Sequence, residues 1–245
     1  MKQLRLALGF LTVLPMHIQE QPKAGDIGRA AGWFPWVGLL IGGGVWAAKY
    51  GLDRLFPPLV SAGLCVAIWV VLTGGLHLDG LADCWDGLMN ASDPARRLEI
   101  MKDPRLGSFG GIGLGLQLLL KTLTLASLSG VPALWGILLA AVTARWLLLW
   151  AARQPLARPG GMGADFALGL QARAFFLAGI PLIGIMILGS WRAVLAVLVA
   201  HLAAWGIFHL ARARLGGVTG DVFGLAVEIT ELAVLLVFSM HLQGF

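Results

Sequence analysis

The stretch Leu76-His77-Leu78-Asp79-Gly80-Leu81-Ala82-Asp83-Cys84-Trp85-Asp86-Gly87-Leu88 spaces three aspartates at i, i+4 and i+7. On an α-helix these carboxylates lie within about 60° of one face. Negative charges held that close repel one another unless a cation neutralises them. Oxygen donors without thiolates or paired histidines suit a hard ion, Mg²⁺ or Mn²⁺, and Mg²⁺ is commonly shared with substrate phosphates. A solvated helix end is the plainer reading, but such an end would mix in Lys and Ser rather than Gly, Leu and Trp.

A second stretch, Leu215-Gly216-Gly217-Val218-Thr219-Gly220-Asp221, leads into Glu228 and Glu231. Gly217, Thr219 and Gly220 ahead of a helix would let backbone N–H groups approach a phosphate, and the helix dipole would add attraction. The same residues also make an ordinary helix–helix turn capped by Thr219 or Asp221. Glu228 and Glu231 lie about 10 and 15 Å along the helix from Asp221. A charge at mid-membrane costs about 2.5–3.5 kcal/mol, so both glutamates are expected to face the bundle interior and a cation or Arg. Asp221 and Glu228 are candidates for a second metal site or a catalytic base.

Other polar residues carry paired readings. Arg145 meets an acid or a phosphate; Lys121 snorkels or pairs with Glu231. Arg158, in the loop Gln154–Gly163, belongs either to a phosphate-binding lid or to a plain connector. Asp103 is a further metal ligand or a cap, and Arg105 meets phosphate or lipid headgroups. His77 is a candidate general base or a packing residue. Cys84 points off the carboxylate face.

The elements that must position these residues are membrane helices. Of 245 residues, 58 % are hydrophobic and 13 % charged, with mean hydropathy +0.82. That is too little charge to coat a water-facing surface, which excludes a soluble enzyme and a disordered chain. Two cysteines cannot form a disulfide framework. Runs free of charge predict spans near 32–50, 57–78, 106–128, 132–150, 174–190, 193–211 and 222–242. The fold is thus an all-α polytopic helical bundle of seven spans, or six if the tight joint at Trp191-Arg192 makes a hairpin, forming a single domain over 1–245. Residues 3–14 read as a short amphipathic or re-entrant helix rather than a secretory signal.

Lys49, Arg54 and Arg192 are the basic residues on one side of this topology. Lys121 and Arg145 lie within spans, and the rest of the 18 Lys and Arg fall on the other side. The positive-inside rule makes that side, and the N-terminus, cytoplasmic. The net charge of +5 therefore speaks of topology rather than of nucleic acid. Asp79, Asp83, Asp86, Asp103 and Asp221 fall on the same side, although acids did not enter the assignment. A cation transporter would instead bring acids to the midplane from both sides, usually in inverted repeats, and no repeat is visible.

The order of short motifs resembles the cobalamin synthase family, also called adenosylcobinamide-GDP ribazoletransferases. The matching residues are Phe10-x-Thr12-x-Leu14-Pro15, Phe34-Pro35-x-x-Gly38 and His77-Leu78-Asp79-Gly80-Leu81-Ala82-Asp83-x-x-Asp86-Gly87. Met101-Lys102-Asp103-x-Arg105-x-Gly107, Pro155-x-Ala157-Arg158-x-x-Gly161-x-Gly163 and Gly216-Gly217-x-Thr219-Gly220-Asp221 follow. Pro104 stands where Ser is expected, and Cys84-Trp85 replace small residues. The resemblance implies a Mg²⁺-dependent transferase (Mn²⁺ being an alternative) of the bacterial cytoplasmic membrane, its active site toward the cytoplasm. It would join adenosylcobinamide-GDP to α-ribazole or its 5′-phosphate and release GMP. A homo-oligomer, or association with other cobalamin-pathway enzymes, is compatible with it. Asp83-x-x-Asp86-Gly87 is also similar to part of the CDP-alcohol phosphotransferase motif, but that motif's Ala-Arg and its later aspartates are missing.

Overall fold

The computed structural model describes residues 2–16 and 22–240. The described residues are all-α, with an isolated parallel bridge between Leu156 and Val218. In order, the helices are α1 (Lys2–Leu11), α2 (Asp26–Ala30), α3 (Phe34–Leu52), α4 (Pro58–Thr73), α5 (Leu76–Met89) and α6 (Pro94–Ile100). They continue with α7 (Ser108–Ser127), α8 (Gly130–Ala151), α9 (Gly161–Gly169), α10 (Ala172–Leu188), α11 (Trp191–Leu215) and α12 (Gly220–Ser239). A 3₁₀ turn over Ala31–Trp33 joins α2 to α3.

Five stretches are long and apolar enough to cross a bilayer: 26–52 and the helices α7, α8, α11 and α12. Two more appear if each bent pair counts as one span. These are α4 with α5, bent by 95°, and α9 with α10, bent by 96°. Each of the seven predicted spans overlaps one of these segments; the second, 57–78, covers α4 but only the first residues of α5, and residues 241–242 of the last lie outside the described chain. The protein is a polytopic helical membrane bundle.

The bend between α4 and α5 has a local cause. Gly74 and Gly75 both adopt the left-handed region, with φ of 63° and 67°, a conformation that side-chain-bearing residues resist. The chain turns there, so the acidic segment starts a new helix instead of extending the α4 span.

α12 is the central helix. It is apolar, yet 78 % of its best spanning window is buried in protein, and it packs against α5, α7, α8 and α11. Its crossing with α5 depends on two glycines. A Cβ on Gly80 would lie 2.8 Å from the Asp221 carbonyl oxygen, and one on Gly224 would lie 2.9 Å from that of His77. Small residues let membrane helices approach at backbone distance. Here they bring the start of α5 against the start of α12, and with them Asp79 and Asp221.

On the far side, Asp53 accepts from Lys49 Nζ (2.9 Å) and from Ser61 Oγ (2.5 Å), an acid neutralised within its own turn.

Candidate functional site

The loop after α8 and the loop before α12 are zipped together. Ala157 N–H donates to Val218 O (3.0 Å), and Val218 N–H donates to Pro155 O (2.8 Å). Gly217 permits this contact, because a side chain there would strike the 155–157 backbone. The space where a Cβ of Gly217 would lie is taken by the neighbouring loop. The zipper carries Arg158 to Asp221, with Nη2 to Oδ2 at 3.6 Å. The Arg158 Nη1 atom is buried and has no hydrogen-bond partner.

Thr219 serves as the N-cap of α12. Its Oγ1 accepts from Val222 N–H (3.3 Å), while the hydroxyl donates to Asp221 Oδ2 (3.1 Å). Thr219, Gly220, Asp221 and Arg158 line a partly open cavity of about 160 Å³ with Asp79 and His77 of α5. The glycine-rich segment Gly160–Gly163 forms another wall, and Phe166 and Phe223 make its apolar floor. His77 is only 4 % exposed, and its Nδ1 is unpartnered. No motif singled out the two phenylalanines, which meet edge to face at 5.9 Å.

Asp79 also faces a second, open cleft of about 910 Å³, together with Asp83, Asp103, Lys102 and Arg105. The charges of Asp221, Asp79 and Asp86 all act on Asp83. Asp86 lies outside that cleft. Its two oxygens accept from the backbone N–H groups of Gly107 and Gly110 (both 2.8 Å), at the start of α7. Side chains at either glycine would collide with that carboxylate. An anion capping a helix N-terminus is favourable. Seven residues of helix also separate Asp79 from Asp86 by about 10 Å along the axis, so the shared face is a ladder, not a ring. Among the described residues no three His, Cys, Asp or Glu side chains gather closely enough to enclose an ion.

Asp103 is engaged by Arg105. It accepts from the Arg105 backbone N–H (3.0 Å), Nε (3.0 Å) and Nη2 (2.7 Å). This contact holds the Asp103 carboxyl down at about 2, below its ordinary 3.8. Both residues stay at the rim of the cleft.

Two expected site residues lie elsewhere. Arg145 is fully buried and donates to Glu231, which also accepts from Lys121. Glu228 accepts from Lys121 Nζ (3.1 Å) and Gln117 Nε2 (3.0 Å). Lys121 additionally sits over the Trp69 ring at 4.4 Å. Two cations and two carboxylates thus neutralise one another inside the bundle. The structure places Arg145 and Glu228 in an internal ion network, each with its opposite charge at hydrogen-bond distance, which is the paired reading the sequence offered for both. The suggested Lys121–Glu231 pair is present.

The C-terminal end of α5 is fastened by arginines that sequence reasoning left unassigned. Arg97 Nη1 (2.7 Å) and Arg214 both donate to the Leu88 carbonyl, satisfying an end carbonyl of the helix. Trp85, larger than the resemblance leads one to expect, packs where Gly113 of α7 leaves room.

Fold and site together define a polytopic membrane protein whose carboxylates, one arginine and a glycine-rich loop meet where α5 and α12 begin. Residues 3–239 match the family model described as cobalamin-5-phosphate synthase. The chain is 38 % identical over 249 residues to an adenosylcobinamide-GDP ribazoletransferase of Desulfitobacterium hafniense (strain Y51), covering 96 % of each protein. It is 42 % identical over 244 residues to the Pseudomonas paraeruginosa protein of that name, covering 98 % of each. The Stutzerimonas stutzeri protein of that name is 40 % identical over 243 residues, with 96 % and 97 % covered. No solved structure matches. The chain belongs to the cobalamin-5-phosphate synthase family and is a membrane transferase of cobalamin biosynthesis. That membership displaces the cation-transporter and CDP-alcohol readings.

Proposed function

We infer that the protein joins adenosylcobinamide-GDP to α-ribazole or its 5′-phosphate at the cytoplasmic face of the bacterial inner membrane, releasing GMP. The observation that carries this reading is the unpartnered Arg158 Nη1, buried beside Asp221 in a cavity that also holds Asp79. A buried donor without an acceptor is costly, and a phosphate oxygen supplies the acceptor. The orientation rests on the bias of Lys and Arg among the loops.

The hydroxyl of ribazole attacks the phosphorus next to the cobinamide. An oxygen–phosphorus bond forms there as the bond to the bridging oxygen of GMP breaks. Arg158 holds phosphate oxygens through its guanidinium, a planar fork matched to that geometry. The N-terminus of α12, capped by Thr219, adds its positive end to the same cavity. Two groups lining the cavity are able to accept the hydroxyl proton: the Asp221 carboxylate and His77 Nδ1. Phe166 and Phe223 exclude water from the reacting atoms.

The donor set fits a divalent ion of the kind that keeps water and shares substrate phosphate. Asp79 and Asp83 stand nearest the cleft with oxygens free for it, and three like charges bear on Asp83. A Mg²⁺ or Mn²⁺ ion held there would neutralise the diphosphate and the departing phosphate of GMP. Asp86 and Asp103 would support the site from the α7 N-terminus and the cleft rim.

Protein purified in detergent, given adenosylcobinamide-GDP, α-ribazole and Mg²⁺, is expected to release GMP and form the joined product in equal amounts. Folded protein that releases no GMP from authentic substrates would refute the reading.

A further inference from the structure

The two cavities differ in size and character, and they share one wall. Leu76 and Asp79, in the first turn of α5, line both the 160 Å³ cavity and the more open 910 Å³ cleft. Ligand pockets span about 300–1,000 Å³. The small cavity is therefore sized for a phosphate-bearing group, while the cleft is sized for the bulk of a large ligand. The cleft is also mixed in character. Lys102, Asp103 and Arg105 bring charge to its lining, and Leu106, Leu114 and Leu118 bring apolar surface. Leu114 and Leu118 are one turn apart on α7, a helix whose outer face presents Phe109, Ile112 and Leu119 to lipid.

We propose that this cleft is the subsite for the bulky body of the nucleotide-activated reactant, a large amphiphile that lays its apolar face on Leu114 and Leu118. Its diphosphate tail passes over Asp79 into the small cavity, where Arg158 and Asp221 stand. This rests on the transferase reading above and adds to it a division of the reactants. The activated amphiphile is recognised by α7 and the 101–106 loop, and its diphosphate by the 154–163 loop and α12. Asp79 lies at the junction because it is the charged residue common to both cavities.

Leu118→Trp fills the cleft from its apolar surface without touching the small cavity. The KM for adenosylcobinamide-GDP is expected to rise about tenfold or more, the loss of one to two well-packed contacts, while the KM for α-ribazole stays at its wild-type value. Leu114→Phe, a smaller change that the partly exposed position tolerates, should shift the same constant in the same direction. Equilibrium dialysis of adenosylcobinamide alone, which lacks the diphosphate and cannot react, reads the subsite without turnover. Wild-type protein should bind it, and Leu118→Trp should bind it more weakly by a similar factor. Equal binding by wild type and Leu118→Trp, or a shift confined to the α-ribazole constant, would overturn the assignment. Wild-type protein that binds adenosylcobinamide but never releases GMP would instead overturn the transferase reading and leave the cleft assignment standing.

Discussion

Replacing Glu231 by Gln, or Arg145 by Met, should destabilise the bundle, and the double variant should cost less than the two single losses summed. Glu231 is 1 % exposed and accepts from both Lys121 and Arg145. Without its charge, Lys121 keeps Glu228 at 3.1 Å, but Arg145 loses its carboxylate. The Arg145 Nε and Nη2 atoms already lack partners, so nothing nearby takes over the charge. Breaking a buried pair from one side costs about 3–5 kcal/mol. For a chain of this length that lowers Tm by roughly 6–20 °C, at 2–4 °C per kcal/mol. Arg145→Met together with Glu231→Gln removes both charges and leaves the Lys121–Glu228 pair intact. The double variant should recover about 2 kcal/mol or more of the summed single losses. Thermal unfolding in detergent, followed by tryptophan fluorescence and size-exclusion recovery, measures all three variants. Turnover per folded molecule should persist in each. Strict additivity of the two single losses, or a Glu231→Gln variant as stable as wild type, would refute the ion-network account.

Arg158→Ala removes the charged donor from the small cavity, and loss of one charge-assisted hydrogen bond of about 1.5–3 kcal/mol predicts a fall in kcat/KM of roughly 10- to 150-fold; steady-state GMP release checks it. Gly80→Ala places a methyl 2.8 Å from the Asp221 carbonyl oxygen. Overpacking there should cost about 1–3 kcal/mol, and turnover should fall because Asp79 and Asp221 move apart, seen by comparing Tm and kcat in one preparation. Asp86→Ala should lose about 0.5–2 kcal/mol as the α7 N-terminus loses its cap. Hydrogen exchange at residues 107–111 should rise, whereas Asp86→Asn, retaining one acceptor oxygen, should lose less.

Much of the membrane architecture was legible because apolar runs and their breaks have local causes. Ser129-Gly130 and Trp191-Arg192 each fall at a real helix boundary, whereas the predicted span 57–78 runs across the bend at Gly74-Gly75. The cost of unpaired glutamates at membrane depth correctly demanded partners for Glu228 and Glu231. It suggested Lys121 for Glu231 but not Arg145 or Gln117, which come from α8 and α7, far away in sequence. The aspartate ladder was visible as spacing. Its inequality was not: Asp86 departs from the set because the glycines of another helix open their N–H groups to it. The meeting of Asp79 with Asp221 was likewise hidden, since it depends on the α5–α12 crossing at Gly80 and Gly224. Gly217 looked like a phosphate cradle because close backbone approach and phosphate binding both call for glycine. The close approach of the 155–157 segment could not be read from the sequence.

The central claim is that reaction occurs at Asp79, where the two cavities join. GMP release by Asp79→Asn, which preserves shape while removing the charge, tests it most directly under saturating substrates and Mg²⁺. A loss of about 100-fold or more in kcat, as expected when transition-state electrostatics are removed, with an unchanged Tm and unchanged adenosylcobinamide binding, is the predicted result. An Asp79→Asn enzyme that releases GMP at the wild-type rate would contradict it.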